Sequence, residues 1–240
     1  AAVKHIDGPL MIIAGAGSGK TRVITYRIAY LAREVGIPIN NILAVTFTNK
    51  AAREMRERVC RLIGVPDMPS LPIGTFHSRC AMILRREHEA AGLNRNFAIL
   101  DENDQKQAIK RVLKGMDISE KRARPAQVQS FINQAKMRLL TPADCEEEFD
   151  EDEVPYPEIY ARYQETIEKS KAADFEDLMM KTVLMFQEHE DVRRAWAERY
   201  QFVLIDEYQD TNHAQFLLSK LLAQDHKNIC IVGDEDQSIY

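Results

Sequence analysis

The stretch Ala14–Thr21, AGAGSGKT, decides the fold, and it directly follows the apolar run Pro9–Ile13, PLMII. An apolar run that ends in a glycine-rich turn, with Lys-Thr at the start of the next helical pattern, is the context of a phosphate-binding loop. Glycine adopts backbone angles that other residues resist, so successive N–H groups can point at phosphate oxygens. The alternative is a plain strand-to-helix turn with an exposed lysine. The flanking patterns favour the phosphate-binding loop.

The residues of this loop have separate expected roles in binding ATP. Lys20 is expected to reach the β- and γ-phosphates, and the Thr21 hydroxyl to ligate Mg²⁺. Ala14 stands at the first glycine of the pattern G-x-x-x-x-G-K-[ST], where a small residue still fits. The predicted nucleotide contacts of the loop come from Ala14, Gly15, Ala16, Gly17, Ser18, Gly19, Lys20 and Thr21.

Two adjacent acids in Val203–Asp210, VLIDEYQD, indicate the second half of a nucleotide site. The apolar run before them places Asp206 at the end of a buried strand, where it can hold Mg²⁺ directly or through water. Glu207 is then placed to orient and deprotonate a water for attack on the γ-phosphate. The alternative is an acidic cluster that caps the helix His213–Leu222. Together with the phosphate loop, the two acids favour nucleotide hydrolysis.

The last stretch, Ile231–Tyr240, reads IVGDEDQSIY. It completes a further apolar run, and polar side chains follow at the end of that run. In doubly wound sheets ligands bind at the carboxyl ends of strands, so Asp234, Asp236 and Gln237 are expected to face the same crevice. Gln237 is uncharged and can donate a hydrogen bond to a γ-phosphate. It is therefore the expected sensor of ATP cleavage.

Short, continuously apolar runs in the chain are typical of strands buried on both faces of a parallel sheet. They are LMIIA, ILAVTF (Ile42–Phe47), LPIGTF (Leu71–Phe76), FVLIDE (Phe202–Glu207) and NICIVGD (Asn228–Asp234). Helical patterns lie between them, for example Thr21–Arg33 and Lys50–Leu62. This alternation predicts an α/β layered fold.

The alternation stops between about residues 80 and 200, where helical patterns are joined by polar loops. In this region Asp101 is expected to cap a helix that carries Ile109 and Leu113 at helical spacing. A mainly helical subdomain is thus predicted as an insertion between the third and fourth strands. Its predicted range is 86–171, and 1–85 with 172–240 are predicted to form the nucleotide-binding domain.

Composition sets general constraints on partners and location. The net charge of −5 gives no overall attraction to nucleic acid, so any such binding must be local. No apolar run approaches the ~20 residues that cross a bilayer, so we expect no membrane association. The four cysteines are widely spaced without a CxxC pair, which predicts buried thiols in a reducing cytoplasm. They are Cys60, Cys80, Cys145 and Cys230.

Two predicted strand ends carry residues suited to single-stranded nucleic acid. Phe47 and Asn49 follow one strand, and Thr75, Phe76 and His77 follow another. An exposed aromatic ring offers a stacking face to a base, and a helix start with nearby hydroxyls and amides can hold phosphate. Alternatively, both phenylalanines close the core of the sheet. The residues alone leave both roles open for the two rings.

Six stretches occur in the order AGAGSGKTR, AVTFTNKAAREM, IGTFHS, DFEDLMM, VLIDEYQD and VGDEDQSIY. In this order they closely resemble the UvrD/Rep/PcrA family of superfamily 1 DNA helicases, and they span the chain from Ala14 to Tyr240. The resemblance implies a RecA-like P-loop NTPase domain, with a parallel sheet covered by helices on both faces, and an inserted helical subdomain. It also implies ATP-driven translocation on single-stranded DNA and 3′-to-5′ unwinding at junctions with duplex DNA.

The resemblance assigns roles residue by residue. Lys20 and Thr21 match the motif I lysine and threonine, and Arg22 matches the nucleotide-contacting arginine that follows them. Asp206 and Glu207 match the Mg²⁺ aspartate and the catalytic glutamate. For these residues the resemblance therefore implies the same phosphate binding, Mg²⁺ binding and water activation that the residue types indicate.

The family's remaining contacts fall at the end of the chain and at the two strand ends. Gln237 matches the glutamine that contacts the γ-phosphate and couples hydrolysis to the DNA site. Tyr240 opens a motif whose aromatic side chains pack on bases. The stretches around Phe47 and Phe76 resemble the single-strand contacts. The preference for DNA over RNA rests on the resemblance alone.

The sequence departs from the family pattern at both ends. It begins without the adenine-reading glutamine motif, and it stops before the second motor domain that supplies an arginine finger. We therefore expect a truncated chain whose own ATP turnover is near background. Two alternatives stay open: a nucleotide- and DNA-binding module without turnover, and a P-loop small-molecule kinase. Repair or replication-restart proteins are the expected accessory partners.

Overall fold

The computed structural model describes residues 1–15, 17–66, 68–148 and 154–234. The described residues form two compact units, one from Ala1–Arg79 with the chain from Phe186 onward, the other Cys80–Met185. Both sequence-based boundaries, after residue 85 and before residue 172, lie within the second unit. Each actual boundary falls inside a continuous helix, where the residue pattern gives no sign of it.

In chain order, the strands are β1 (Leu10–Ile13), β2 (Ile42–Thr46), β3 (Ile73–Thr75), β4 (Ala98–Leu100), β5 (Ala172–Asp174), β6 (Phe202–Ile205) and β7 (Ile229–Gly233). The helices are α1 (Lys20–Arg33), α2 (Asn49–Ile63), α3 (Phe76–Arg86), α4 (Glu102–Gly115), α5 (Pro125–Met137), α6 (Pro142–Glu148), α7 (Tyr156–Lys169), α8 (Phe175–Glu188), α9 (Glu190–Arg199) and α10 (His213–Ala223).

The first unit is built on a parallel sheet, as the sequence predicts. Within the described ranges its strand order is β1-β7-β6-β2-β3, and every neighbouring pair is parallel. All of the apolar runs named above form strands of this sheet. The α/β prediction is therefore confirmed.

The sheet register places three strand ends side by side. Ile13 lies beside Gly233 in β7, and Ile205 in β6 lies beside Ile231. Because parallel strands all end at the same edge, the residues after β1, β6 and β7 come together there. This edge is where the phosphate loop and the two acidic stretches meet.

The core of the first unit confirms the helical spacing in the sequence. Ile24, Ile28 and Leu31 of α1 are buried, as are Met55 and Val59 of α2, and all five belong to one cluster with the strands. Side chains at this spacing share one face of a helix, so each helix covers the sheet with an apolar stripe. Burial of these stripes holds α1 and its loop in position.

Strand β1 differs from the prediction that its run is buried on both faces. Met11 and Ile13 are 61% and 51% exposed, while Leu10 and Ile12 are partly buried. β1 is at the edge of the described sheet and pairs with β7 on one side. Its residues therefore alternate between covered and open faces, which an apolar run alone cannot reveal.

The second unit is mainly helical and has its own core. Residues from α4, α5 and α7 form a cluster that includes Ile109, Leu113, Ile132 and Tyr163. Asp101 begins α4 as predicted, since its Oδ1 accepts hydrogen bonds from the backbone N–H groups of residues 103 and 104 at 2.8 and 2.9 Å. A separate core and a capped helix explain why this region folds as a unit.

A buried polar network lies within the second unit. The Lys136 ammonium contacts Asp174 at 2.7 Å and Asp177 at 2.8 Å, and the Tyr163 hydroxyl donates to Asp174 at 2.8 Å. Burial alone would lower the pKa of Lys136, but the two carboxylates outweigh it and the pKa is raised. The network thus keeps a charged lysine in the interior and ties α5 to the start of α8.

Two expectations from composition concern cysteines and membranes. All four cysteines are free and buried, as predicted. Over the described residues, no helix has the length and apolar character needed to span a bilayer.

Candidate nucleotide-binding site

The phosphate loop has the backbone that its glycines allow. Gly17 and Gly19 have φ angles of 73° and 92°, in the left-handed region that favours glycine. The Ser18 N–H donates to the carbonyl of Gly15 at 3.3 Å, and the Ala14 N–H donates to that of Gly233 at 3.1 Å. The loop is therefore folded back on itself and fixed to the end of β7. The predicted contact Ala16 lies outside the described residues.

Lys20 and Thr21 begin α1 and reach the two acidic stretches. Lys20 is 8% exposed, and its Nζ lies 3.0 Å from Oδ2 of Asp234. The Thr21 hydroxyl donates to Oδ2 of Asp206 at 2.9 Å. Stretches separated by 185 and 214 positions thus meet at one edge of the sheet, as the sequence predicts.

Asp206 is a buried carboxylate at the end of β6. Burial raises its pKa above the ordinary aspartate value, and the neighbouring Glu207 adds to the increase. The Thr21 hydroxyl and Lys20 act in the opposite direction. Two close acids in a partly dry site favour a bound cation, which would stabilise the ionised form.

Glu207 has a constrained backbone and a fixed side chain. Its φ of 54° lies in the left-handed region, which is uncommon for a residue with a side chain. Its N–H donates to Oδ1 of Asp206 at 3.1 Å, and its Oε2 accepts a hydrogen bond from Nε2 of Gln209 at 2.7 Å. The residue as a whole is partly buried.

The sequence analysis did not identify Gln209 as a site residue. Besides contacting Glu207, its Oε1 accepts a hydrogen bond from the backbone N–H of Asp234 at 3.1 Å. Asp234 was named only as a residue of the crevice, not as the partner of Lys20. The sequence feature that could have indicated Gln209 is its position two residues after Glu207 in the stretch DEYQD.

Three other predicted contacts have different outcomes. Arg22 is exposed, and its guanidinium carbon lies 5.5 Å from the centre of the Tyr26 ring. A cation over an aromatic face is held loosely at the surface and can turn toward a ligand. Gln237 and Tyr240 lie outside the described residues. Their roles remain predictions from the sequence.

The two predicted stacking rings are not equivalent in the structure. Phe76 is 4% exposed and contacts Phe47 edge to face, with ring centres 6.4 Å apart. Phe47 is only partly buried. The expectation that Phe76 offers an open face is thus not met, because this residue begins α3 and turns into the core. Phe47 is the ring with free surface.

The polar residues at the same strand ends remain accessible. Asn49 is exposed at the start of α2, which is capped by the Thr48 hydroxyl. Thr75 is partly exposed, and its hydroxyl accepts a hydrogen bond from the Ser78 N–H at 3.2 Å. Burial lowers the pKa of His77, so this side chain is neutral near pH 7.

The whole chain, residues 1–240, matches the UvrD/REP helicase N-terminal domain family. The chain belongs to that family. Among its relatives, the ATP-dependent DNA helicase PcrA of Staphylococcus aureus is 48% identical over 240 residues, which are 100% of this chain and 33% of the relative. PcrA of Bacillus subtilis is 47% identical over 244 residues, covering 100% of this chain and 32% of the relative. The chain thus spans about a third of the length of these relatives.

Membership in the UvrD/REP family agrees with the geometry of the site. The family resemblance stated from six short stretches is confirmed over the full length of the chain.

Proposed function

We propose that this chain is the ATP-binding motor part of a 3′-to-5′ DNA helicase, which couples ATP hydrolysis to translocation on single-stranded DNA and to unwinding at duplex junctions. The observation that carries the proposal is the meeting of the phosphate loop with the DEYQD stretch, where Thr21 and Asp206 lie 2.9 Å apart. The relatives named above are ATP-dependent DNA helicases, which supports the choice of substrate. The cytoplasm is the proposed location.

The residues at this edge fit magnesium and a triphosphate. Mg²⁺ takes hard oxygen ligands, and the Thr21 hydroxyl and Asp206 carboxylate supply two that are already adjacent. The N–H groups of the loop and the Lys20 ammonium would hold phosphate oxygens. When bound, the ion neutralises charge on the phosphates. Glu207 would accept the proton of the attacking water.

The proposed DNA contacts lie at the ends of β2 and β3. Phe47 offers the ring face on which a base can stack, worth ~1–3 kcal/mol. Phe76 supports that ring from the core instead of stacking itself. Asn49 and Thr75 would bind the sugar-phosphate backbone, and neutral His77 would add a hydrogen bond. Repair or replication-restart proteins are the proposed accessory partners.

Glu207→Gln in the full-length gene product tests the catalytic assignment. We expect DNA-stimulated ATP hydrolysis to fall by about 10²–10⁴-fold while ATP still binds, because the amide cannot accept the proton. Radioactive ATP retained on the protein, with turnover measured in parallel, provides the readout. The matched control is Glu188→Gln at the exposed end of α8, for which we expect unchanged turnover. Normal hydrolysis by Glu207→Gln would contradict the assignment.

The 240 residues on their own test the alternative of a binding module. We expect ATP and oligonucleotide binding but turnover near background, since an arginine supplied from outside a site is worth ~10³–10⁵ in rate in related enzymes. A coupled ATPase assay with and without single-stranded DNA measures this. Strong DNA-stimulated turnover by these residues would show that no further group is needed. Tight binding of a small phosphate acceptor without DNA binding would instead favour a kinase.

A further inference from the structure

The side chain of Gln209 connects the ends of two neighbouring strands. Its Nε2 donates to Oε2 of Glu207 at 2.7 Å, next to the end of β6. Its Oε1 accepts from the backbone N–H of Asp234 at 3.1 Å, directly after β7. An amide has a donor at one end and an acceptor at the other, so it can hold both groups at once. No aspartate or glutamate could make both bonds when ionised.

The two ends of this connection belong to different parts of the nucleotide site. Glu207 is the candidate general base. Asp234 holds the Lys20 ammonium through its side chain at 3.0 Å, while its backbone N–H binds Gln209. A shift of Asp234 when Lys20 changes partner would therefore move the Oε1 end of Gln209, and through it the Glu207 carboxylate.

Gly233 lies close to the side chain of Gln209. A Cβ atom added at Gly233 would lie 3.1 Å from Oε1 of Gln209 and 3.6 Å from its backbone nitrogen. The contact with Oε1 would be tighter than an ordinary van der Waals separation, whereas the one with the backbone nitrogen would be ordinary. The absence of a side chain at Gly233 thus lets the Gln209 amide approach the end of β7.

We propose that Gln209 is a positioning residue that fixes the Glu207 carboxylate for proton transfer and links it to the turn after β7, where Lys20 is held. The catalytic consequence rests on the function proposed above. Free rotation of a general base away from its productive position costs rate without weakening substrate binding. The effect of losing Gln209 should therefore fall on kcat and leave KM for ATP nearly unchanged.

Gln209→Met is the first test, in the full-length gene product. Methionine keeps the length of the side chain but removes both hydrogen bonds. We expect kcat for DNA-stimulated ATP hydrolysis to fall about 10- to 100-fold, with KM within about twofold. The matched control is Gln187→Met on the exposed part of α8, which should leave both constants unchanged. A kcat within about twofold of the unmodified protein would overturn the proposal.

Gln209→Glu separates the two bonds of the amide. Its carboxylate can still accept from the Asp234 N–H but cannot donate to Glu207, and it repels that carboxylate. Hydrogen exchange at the Asp234 amide should accelerate in Gln209→Met and stay slow in Gln209→Glu, whereas kcat should fall in both. This exchange readout does not depend on turnover.

The outcomes distinguish this inference from the function on which it rests. Unmodified protein without DNA-stimulated hydrolysis would overturn both. Normal hydrolysis by the unmodified protein, with a loss in Gln209→Met that appears in KM alone, would overturn only the role of Gln209. If Gln209→Met lowers the melting temperature, the kcat of Gln209→Glu becomes the deciding measurement, because that variant retains the hydrogen bond to the Asp234 N–H. Unchanged kcat in Gln209→Glu would then refute the proposal.

Discussion

Lys20 and Asp234 form a buried ion pair at the place where phosphate is expected. The side chain of Asp234 is 2% exposed, and that of Lys20 is 8% exposed. A buried lysine needs a negative partner, because an isolated charge is costly to desolvate. Asp234 supplies the partner in the structure described, and a phosphate would replace it. In the proposed function, nucleotide would therefore compete with Asp234 for the Lys20 ammonium.

Asp234→Asn should lower the stability of the protein without nucleotide and increase the stabilisation that nucleotide provides. Without it, we expect a loss of about 1–3 kcal/mol, since Lys20 keeps a polar neighbour but loses the charge. With Mg-ATP the phosphates restore the charge, so the rise in melting temperature on adding nucleotide should exceed that of the unmodified protein. Thermal unfolding with and without Mg-ATP measures both. Asp7→Asn, at an exposed position, is the control; equal nucleotide-induced shifts in all three proteins would contradict the competition.

Residue types at strand ends predict which groups enter the site but not how they pair. Lys20, Thr21 and Asp206 follow from local patterns, and the structure brings them together. The pairing of Lys20 with Asp234 could not be predicted, because several acids follow neighbouring strands and the sequence does not rank their distances. The reach of Gln209 depends on the register of β6 and β7, which is a property of the assembled sheet.

Helices and strands are predictable where the pattern that defines them is local. The apolar stripes of α1 and α2 and the Asp101 cap of α4 are such cases, and all three are confirmed. Burial of β1 and the boundary after β3 were not predictable. The exposure of Met11 depends on which strand lies next to β1, and LPIGTF reads as a strand through Phe76 although that residue already begins α3.

Asp101→Ala tests the cap of α4. We expect a loss of about 0.5–2 kcal/mol in the free energy of unfolding, because two N–H groups of the first turn lose their acceptor. Urea denaturation followed by circular dichroism measures it. Asp101→Asn retains an acceptor and should lose markedly less. Equal stability of Asp101→Ala and the unmodified protein would mean that water satisfies the helix start equally well.

Each of the two units has a core among the described residues, and that of the second unit carries ionisable groups of its own. Separate cores follow from the change of pattern along the chain, but the boundary does not, because α3 and α8 continue across it. The Lys136 network was also absent from the sequence analysis. A lysine on a helix normally lies at the surface, and only the fold brings Asp174 and Asp177 to it.

The stability of the protein should depend on pH through Glu176. Burial, with a smaller contribution from Asp174, raises the pKa of Glu176 from 4.5 to about 7. The folded form therefore binds more protons than the unfolded form between these values, and its stability falls as pH rises through this range. Glu176→Gln removes the titration. It should gain on the order of 1–3 kcal/mol relative to the unmodified protein between about pH 5 and about pH 8.

Chemical denaturation at a series of pH values checks this expectation. Glu188→Gln, on the exposed end of the same helix, is the control. A stability difference between Glu176→Gln and the unmodified protein that stays constant with pH would contradict a titrating Glu176.

With Glu207 as the proposed general base, its left-handed backbone sets thermal stability against turnover at one position. Glycine would adopt that angle more readily, by about 1 kcal/mol, but would delete the carboxylate. A selection scheme that rewards heat resistance alone would therefore drift toward a sturdier protein that no longer performs chemistry. Retention of glutamate there under such pressure would report that activity, rather than folding, is being preserved.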